Sequence, residues 1–210
     1  TNLDVSNWNV SKVTSFSSLF LDCSSITSLD VSSWNTANTS SFSSIFSGCS
    51  SLTSLNPGNW DLSNTTNLSS AFKDCSSLSS LNVSDWNTSN ITSVISTFQN
   101  CTSLTNLDVS NWDTSNFSQL GSMFDNCSSL VELNVSNWDT FNFRNIGNMF
   151  RNCTSLSEIN LVRWNVANES HAIDFMLNAN NALSTAQYDD ILVTWAPQQD
   201  TRWFGFGIHF

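Results

Sequence analysis

The sequence has few charged residues, and most of those present are acidic. Charged residues make up 11% of the 210 residues, with 6 Lys and Arg against 17 Asp and Glu and a formal net charge of −11. Globular domains typically have about a quarter of their residues charged. An acidic chain is repelled by phosphate backbones and by anionic lipid headgroups. We therefore expect no nucleic acid among its partners.

The sequence also lacks long apolar runs and the residues of a catalytic or metal site. No stretch approaches the roughly 20 apolar residues that cross a bilayer, so we expect no direct membrane insertion. The histidines are only two, His171 and His209, and the six cysteines contain no C-x-x-C pair of metal-ligand spacing. The many serines have no base nearby in the repeat. We predict a protein that is not an enzyme and uses neither a metal ion nor a cofactor.

Both ends of the sequence lack features of a finished polypeptide. The chain opens with TNLDVSNW, which has neither a methionine nor the basic region of a signal peptide. It closes with WFGFGIHF, inside an apolar run. We expect a fragment of a longer polypeptide, with neighbouring domains of that polypeptide among its partners.

Three residue types recur in register along most of the chain. Tryptophan, phenylalanine and cysteine each return at a constant step: Trp8, Trp34, Trp60, Trp86, Trp112, Trp138 and Trp164; Phe20, Phe46, Phe72, Phe98, Phe124 and Phe150; Cys23, Cys49, Cys75, Cys101, Cys127 and Cys153. The step of 26 residues contains no insertion or deletion. Such a repeat predicts a solenoid in which similar coils stack on one another.

Two patterns alternate inside each repeat. Leu29 and Val31 alternate with polar residues, as in a short strand that is buried on one face. Over residues 16–23 the apolar residues fall at i, i+3, i+4 and i+7, which favours a short helix. The predicted fold class is therefore α/β, a leucine-rich-repeat-like solenoid of about seven 26-residue strand–helix coils with a parallel sheet and a C-terminal cap. Pro57 and Gly58 interrupt the third strand, where we expect broken pairing.

The repeat weakens after Trp164. Met176 and Ala179 stand where earlier coils have Phe and Cys, and we expect the register to slip before Leu183. Ser184 and Gln187 form a capping-box pattern that opens a last helix.

We place the solenoid at residues 1–182 and the C-terminal segment at 183–210. In that segment Pro197 is expected to end the helix. The start of a capping strand is expected to follow, with Trp203, Phe204 and Phe206.

The repeat resembles a known family. The segment ITSLDVSSWNT, residues 26–36, is similar to the leucine-rich-repeat frame L-x-x-L-x-L-x-x-N-x-L, with Trp34 at the Asn position. Together with M/L-F-x-x-C-S/T-S-L, it resembles the BspA-like leucine-rich-repeat surface proteins over residues 1–183. The resemblance implies a secreted or surface-displayed protein linked with adhesion and without catalytic residues. The expected location is extracellular, at a cell surface or on an appendage.

The cysteine and tryptophan rows have two interpretations each. We interpret the cysteines as small buried hydrophobes, although the spacing of about 4.8 Å between stacked coils also permits disulfides. We interpret the tryptophans as core residues whose indole N–H donates to a neighbouring backbone carbonyl. The alternative for the tryptophans is a surface on which glycans stack.

Two outward rows of Asp and Asn follow the sheet: Asp4, Asp30, Asn56, Asn82, Asp108, Asn134 and Asn160; Asn9, Asn35, Asp61, Asn87, Asp113, Asp139 and Asn165. We interpret them as a solvated, hydrogen-bonding face, with occasional Ca²⁺ binding as the alternative. Aromatic and Arg residues that break the repeat have the composition of an interface. Packing against a cap or an adjoining domain is the alternative explanation for them. The candidate partner-binding residues are Asp108, Asp113, Asn134, Asp139, Phe117, Phe141, Phe143 and Arg144.

These features predict a non-catalytic extracellular recognition or adhesion module of a larger surface or fibre protein. Its partner would be a host or cell-surface glycan or protein. The alternative is a purely structural spacer in a surface appendage or phage tail fibre. Ice binding through the threonine-rich row that contains Thr36 and Thr114 is a third hypothesis, but the repeat frame predicts that this row points inward.

Overall fold

The computed structural model describes residues 3–168, 172–179 and 182–195, where the chain winds into stacked coils. Three short strands, β1 (Ser28–Leu29), β2 (Ser54–Leu55) and β3 (Ser80–Leu81), form a parallel sheet in that order. Each residue pairs with its counterpart one repeat further along the chain. We name each coil after its tryptophan.

Single parallel bridges extend this sheet and form a second row elsewhere in the coil. The first row continues from Ser80 through Asn106 and Glu132 to Glu158. The second row runs through Ser15, Ser41, Asn67, Ser93, Gln119 and Asn145. The predicted parallel pairing is confirmed, because period-2 alternation with one buried face specifies both the strand and its register.

The helix predicted inside each coil is absent, and that prediction is wrong. Among the described residues the helix is α1 (Thr185–Trp195). In the Trp86 coil, the amides of Val94, Ser96, Phe98 and Asn100 donate instead to carbonyls of the next coil at 2.9–3.0 Å. The amides between them close short turns, such as Thr97 N–H to the Val94 carbonyl.

Residues with positive φ cause this difference. Ser96 and Asn100 have φ values of 54° and 61°, and Ser, Asp, Asn or Gly takes this conformation at the matching positions of the other coils. A right-handed helix does not tolerate the left-handed conformation at every fourth residue. Successive turns nevertheless bury the side chains at i, i+3, i+4 and i+7, so Val94, Thr97, Phe98 and Cys101 all lie in the core.

The break expected at Pro57 and Gly58 does not occur. Strand β2 pairs with both β1 and β3, and it ends before Pro57. The tryptophans need a backbone carbonyl, not an amide, from position 57. The Pro57 carbonyl accepts hydrogen bonds from Trp60 N–H and from Trp86 Nε1, both at 3.0 Å. Proline meets that requirement as well as valine does.

The tryptophans stack along the axis of the solenoid, forming the tryptophan ladder. The Trp34 and Trp60 rings, for example, lie 6.1 Å apart between centroids with an interplanar angle of 4°. Each indole from Trp34 to Trp164 donates its N–H to a backbone carbonyl of the preceding coil at 3.0–3.4 Å. The interpretation as core residues with a backbone partner is confirmed for these six, which are buried and cannot form a glycan platform.

The last coil keeps its register further than expected. The Asn152 amide donates to the Leu177 carbonyl, and the Ala179 amide to the Met176 carbonyl, as at equivalent positions of earlier coils. Ala182 then lies buried at the position of Leu156. The slip predicted before Leu183 is therefore not found in the described residues.

Helix α1 follows directly after the last coil. The predicted capping box is present, with Ser184 N–H donating to Gln187 Oε1 at 2.8 Å and Gln187 N–H to Ser184 Oγ at 3.3 Å. Pro197 and the predicted capping strand with Trp203, Phe204 and Phe206 lie outside the described residues, and the domain boundary after residue 182 stays a prediction. Within the described ranges the structure holds no helix of the length and hydrophobicity that crossing a membrane requires.

Candidate functional site

The cysteines belong to the core. All six are free thiols, and five of them are buried, while Cys23 is half-buried. From Cys49 onward each Sγ donates to a Phe carbonyl of the preceding coil at 3.1–3.2 Å. Burial raises the pKa of Cys49, Cys101 and Cys153 to about 12. The interpretation as buried hydrophobes is confirmed for the five buried cysteines, and a thiol kept protonated is a poor nucleophile and metal ligand.

Phe117 and Phe143, two candidate partner-binding residues, are also in the core. They are 0% and 2% exposed, and each meets tryptophan rings edge to face. Their assignment to a binding surface is wrong.

A volume exchange between neighbouring positions explains the large side chains. The Trp34 coil pairs a small Thr39 with Phe42, whose ring lies 4.5 Å from that of Trp60. The Trp112 coil reverses this arrangement, with Phe117 and the smaller Leu120. Close packing fills the same space from either position.

Phe141 and Arg144 lie on the surface close together. Phe141 is 56% exposed, where the neighbouring coils have Ser115 and Ala167. The Arg144 guanidinium donates from Nη1 to the carbonyls of Phe141 at 3.3 Å and Phe143 at 3.0 Å. The Arg144 side chain therefore stabilises the backbone of its own coil. The Phe141 ring remains as an exposed apolar group.

The Asp and Asn rows are exposed, but they stabilise turns of their own coils. Asp108 Oδ1 accepts from Ser110 N–H at 3.0 Å and from Ser110 Oγ at 2.7 Å. Asp113 forms the same pair of bonds with Ser115, at 3.0 and 2.6 Å. Asn134 and Asp139 likewise accept from the amide two residues on.

These turns explain why Asp and Asn alternate irregularly along the rows. Either residue supplies the Oδ1 acceptor that the turn needs. The serine bonds hold the pKa of the Asp108 and Asp113 carboxyls below the usual value, in each case chiefly through the serine hydroxyl. In the ranges that the structure describes, no group of three or more His, Cys, Asp or Glu side chains is placed to hold a metal ion.

A row of asparagines that sequence reasoning missed ties neighbouring coils together. Each donates from Nδ2 to a backbone carbonyl of the preceding coil at 2.6–2.9 Å: Asn38, Asn64, Asn90, Asn116, Asn142 and Asn168. The signal was present, since an asparagine stands four residues after each of the six tryptophans from Trp34 to Trp164.

The threonine-rich row points inward, as the repeat frame predicts. Thr36, Thr88, Thr114 and Thr140 are buried, and their Oγ1 atoms donate to carbonyls of the next coil at 2.9–3.0 Å. A buried row cannot contact an ice surface.

One ion pair with a buried carboxylate and a partly exposed arginine also escaped sequence reasoning. Asp125, whose side chain is 2% exposed, accepts from Arg151 Nη2 at 2.7 Å and from Arg151 Nε at 2.9 Å. Gln99 Nε2 adds a third bond at 2.9 Å. The three residues occupy one position in consecutive coils, so they hold these coils in register.

The surface of the sheet also differs between early and later coils. Its outward bridge positions are Ser28, Ser54 and Ser80 in the early coils but Asn106, Glu132 and Glu158 in the later ones. We define the acidic sheet face as the exposed residues Asn106, Asp108, Val131, Glu132, Asn134 and Glu158. Sequence analysis found two of these six. The others were detectable as departures from Ser and Thr at outward strand positions.

The parallel pairing, the inward Leu and Val side chains and the stacked coils define a leucine-rich-repeat-like solenoid. The chain belongs to the family described as "Mycoplasma protein of unknown function, DUF285", whose model matches residues 1–80 and 66–189. A repeat family with this fold is typical of protein-interaction modules that are not catalytic.

Among solved structures, the chain resembles a leucine-rich-repeat protein of T. pallidum. The two are 16% identical with a TM-score of 0.57, over 100% of this chain and 80% of that chain. At this identity the likeness shows the fold alone. No curated protein matches the chain.

Proposed function

We propose that this chain is an extracellular recognition module of a larger BspA-like surface or fibre protein, and that it binds a protein partner through the acidic sheet face. The observation that carries the proposal is the change of residue type at the outward bridge positions, from serine in the early coils to asparagine and glutamate in the later ones. Core and turn positions repeat because every coil must stack on the next. Outward sheet positions are free of that constraint, and there Ser and Thr give way to Asn, Val and Glu.

The charges on this face oppose the stability of the fold. Glu132 and Glu158 are bridge partners in adjacent coils, so their carboxylates project from neighbouring positions of one sheet. Like charges at directly paired positions destabilise a sheet. In the described part of the chain, Arg151–Asp125 is the one salt bridge, so neither glutamate is neutralised by a basic side chain. A basic partner would relieve this repulsion, and the exposed Val131 would add apolar contact.

Binding to an array of cell-surface proteins and glycans tests the proposal. The variant Glu132→Ser with Glu158→Ser restores the residue type of the early coils. We expect it to weaken binding to a basic protein by about tenfold or more, because a tenfold change requires only about 1.4 kcal/mol. Selective capture of neutral glycans, unchanged in the variant, would contradict the proposal.

Asp30→Asn is the matched control. It removes one exposed carboxylate from the Trp34 coil and keeps the Oδ1 acceptor of the turn with Ser32. We expect wild-type binding. Because the glutamate variant removes two carboxylates and Asp30→Asn removes one, an equal loss of binding free energy per removed charge would indicate attraction to net charge rather than to the acidic sheet face.

A structural spacer is the second candidate function. It is favoured by the Asp and Asn rows, whose Oδ1 atoms bond to their own coils, as in Asp108 with Ser110. Deleting the whole Trp60 coil, residues 53–78, distinguishes the two functions. A recognition module keeps its binding because the acidic sheet face lies in later coils, whereas a spacer shows no selective ligand before or after the deletion.

A further inference from the structure

The two ends of the coil stack differ in how they treat the tryptophan ladder. At the C-terminal end Trp195 covers Trp164, with ring centroids 6.4 Å apart and an interplanar angle of 15°. At the other end Trp8 is 43% exposed. Its indole N–H has no acceptor among the described residues, unlike that of Trp34, which donates to the Val5 carbonyl. Leu19 and Leu21, in the same coil as Trp8, are exposed as well.

The backbone at this end has a defined polarity. Between the first two coils, four amides donate toward the second coil at 2.7–2.9 Å: Phe16 to Ser41, Ser18 to Ser43, Phe20 to Ile45 and Asp22 to Ser47. The next contact repeats this direction, with Phe42 donating to Asn67 and Phe46 to Ala71. The matching carbonyls of the first coil are those of Ser15, Ser17, Leu19 and Leu21, and none of them accepts a backbone hydrogen bond from a described residue.

A row that contains only carbonyls excludes an ordinary β-strand as its partner. The edge of a normal strand presents both N–H and C=O groups, so half of its polar groups would meet carbonyls of the same kind. A coil of this repeat presents four N–H groups in one direction, because of its positive-φ residues such as Ser44 and Gly48.

We propose that the Trp8 end of the stack is an interaction surface for one further coil of the same repeat, stacked in the same direction. Its four amides donate to the carbonyls of Ser15, Ser17, Leu19 and Leu21. Its carbonyl at the position of Val31 accepts the Trp8 indole N–H, and its own tryptophan covers the Trp8 ring. Lys12 occupies the position of Asn38, whose side chain donates to the preceding coil. The contact with the added coil therefore lacks this asparagine bond.

A second copy of this chain does not fit the same surface. Its opposite end is covered by α1, where Trp195 occupies the ladder. Two Trp8 ends brought together would place carbonyl rows against each other.

The test adds one coil in register to the full chain. Residues 27–52 are duplicated directly ahead of Thr1, and a control carries the same 26 residues in reversed order. Oxidation of individual tryptophans is followed by mass spectrometry on the folded proteins, together with thermal unfolding. In the duplicated variant we expect Trp8 oxidation to slow several-fold, to the rate of Trp34. We expect the midpoint of thermal unfolding to rise by about 5 °C. The reversed control is expected to change neither.

Three results would overturn the proposal. Trp8 oxidation could remain fast in the duplicated variant, or the reversed control could protect Trp8 equally, which would indicate coverage by any apolar segment. Concentration-dependent protection of Trp8 in the unextended chain, with a dimer by analytical ultracentrifugation, would identify a second copy as the occupant. The proposal predicts a monomer.

Discussion

Trp195 Nε1 donates a hydrogen bond to the Leu161 carbonyl at 3.3 Å, although Trp195 belongs to α1 and not to a coil. Trp164 makes the same bond one coil earlier, to the Val135 carbonyl at 3.2 Å. The acceptor in both cases is the residue three positions before the covered tryptophan. Helix α1 therefore supplies the ring and the donor that the next coil would supply, and it closes the apolar core at this end.

Removing the Trp195 side chain is expected to lower the free energy of unfolding by about 3–5 kcal/mol, the usual cost of deleting a buried Trp side chain. Trp195→Phe keeps an aromatic ring but leaves the Leu161 carbonyl without its indole donor, so a loss of about 1–3 kcal/mol is expected. Urea unfolding measures both. Val193→Ala on the exposed side of α1 is the control, with an expected change within about 0.5 kcal/mol. Equal effects at Trp195 and Val193 would show that α1 does not close the core.

The exchange of volume between positions 117 and 120 predicts a rescue. Phe117→Thr is expected to cost about 3 kcal/mol by leaving a cavity, and Leu120→Phe alone about 1–3 kcal/mol by overpacking. The double variant recreates the Thr39 and Phe42 arrangement, in which Thr39 Oγ1 donates to the Val13 carbonyl at 3.0 Å. We expect it to recover at least about 1 kcal/mol relative to the sum of the single changes. Additive losses in urea unfolding would contradict the exchange.

Breaking the Asp125–Arg151 pair predicts a loss of stability that depends on both partners. Arg151→Met leaves a buried carboxylate with Gln99 as its remaining side-chain donor. We expect a cost of about 2 kcal/mol, below the roughly 3–5 kcal/mol of a fully buried pair, because the Arg151 side chain is 35% exposed. Adding Asp125→Leu to the Arg151→Met variant should restore most of the lost stability. Arg163→Met, at an exposed arginine, serves as the control, and a similar loss there would indicate a general charge effect.

The buried thiols predict that stability falls in alkaline solution. In the unfolded chain a cysteine loses its proton near its ordinary pKa of 9.0, whereas the folded chain keeps the Cys101 pKa at about 12. The unfolded state is therefore favoured progressively between pH 9 and pH 12, by about 1.4 kcal/mol per pH unit for each such thiol. Unfolding free energies of the wild type and Cys101→Ala, measured from pH 7 to pH 11, should diverge above pH 9, with the steeper decline in the wild type. Parallel curves would contradict the assignment.

Much of the fold could be predicted from residue spacing. Leu29 and Val31 indicated the inward face of a paired strand because side-chain direction alternates along an extended backbone. The tryptophan spacing indicated a stacked ladder because the same residue recurs at every coil. The helix prediction failed because consecutive turns bury the same positions as a helix does. A helix can be distinguished from such a series of turns only by the φ values of residues such as Ser96 and Asn100.

The candidate site was harder to predict, since exposure depends on contacts between coils. Phe117 broke the repeat and suggested an interface, but the smaller Leu120 leaves room for it in the core. The sequence did not indicate that Glu132 and Glu158 are neighbours, because they lie far apart along the chain. Bridge pairing places them next to each other.

The amino-acid sequence by itself determined that the chain stacks, because Leu, Val, Trp, Phe and Cys at a constant step can be buried only against their own copies. The tertiary structure decided the backbone between these residues and the chemistry left on the surface. Amides that a helix would use internally bond to the next coil, and Asp108 and Asp113 use their Oδ1 atoms to hold turns. These outcomes depend on distances between residues a full repeat apart and on local φ angles, which residue spacing along the chain does not specify.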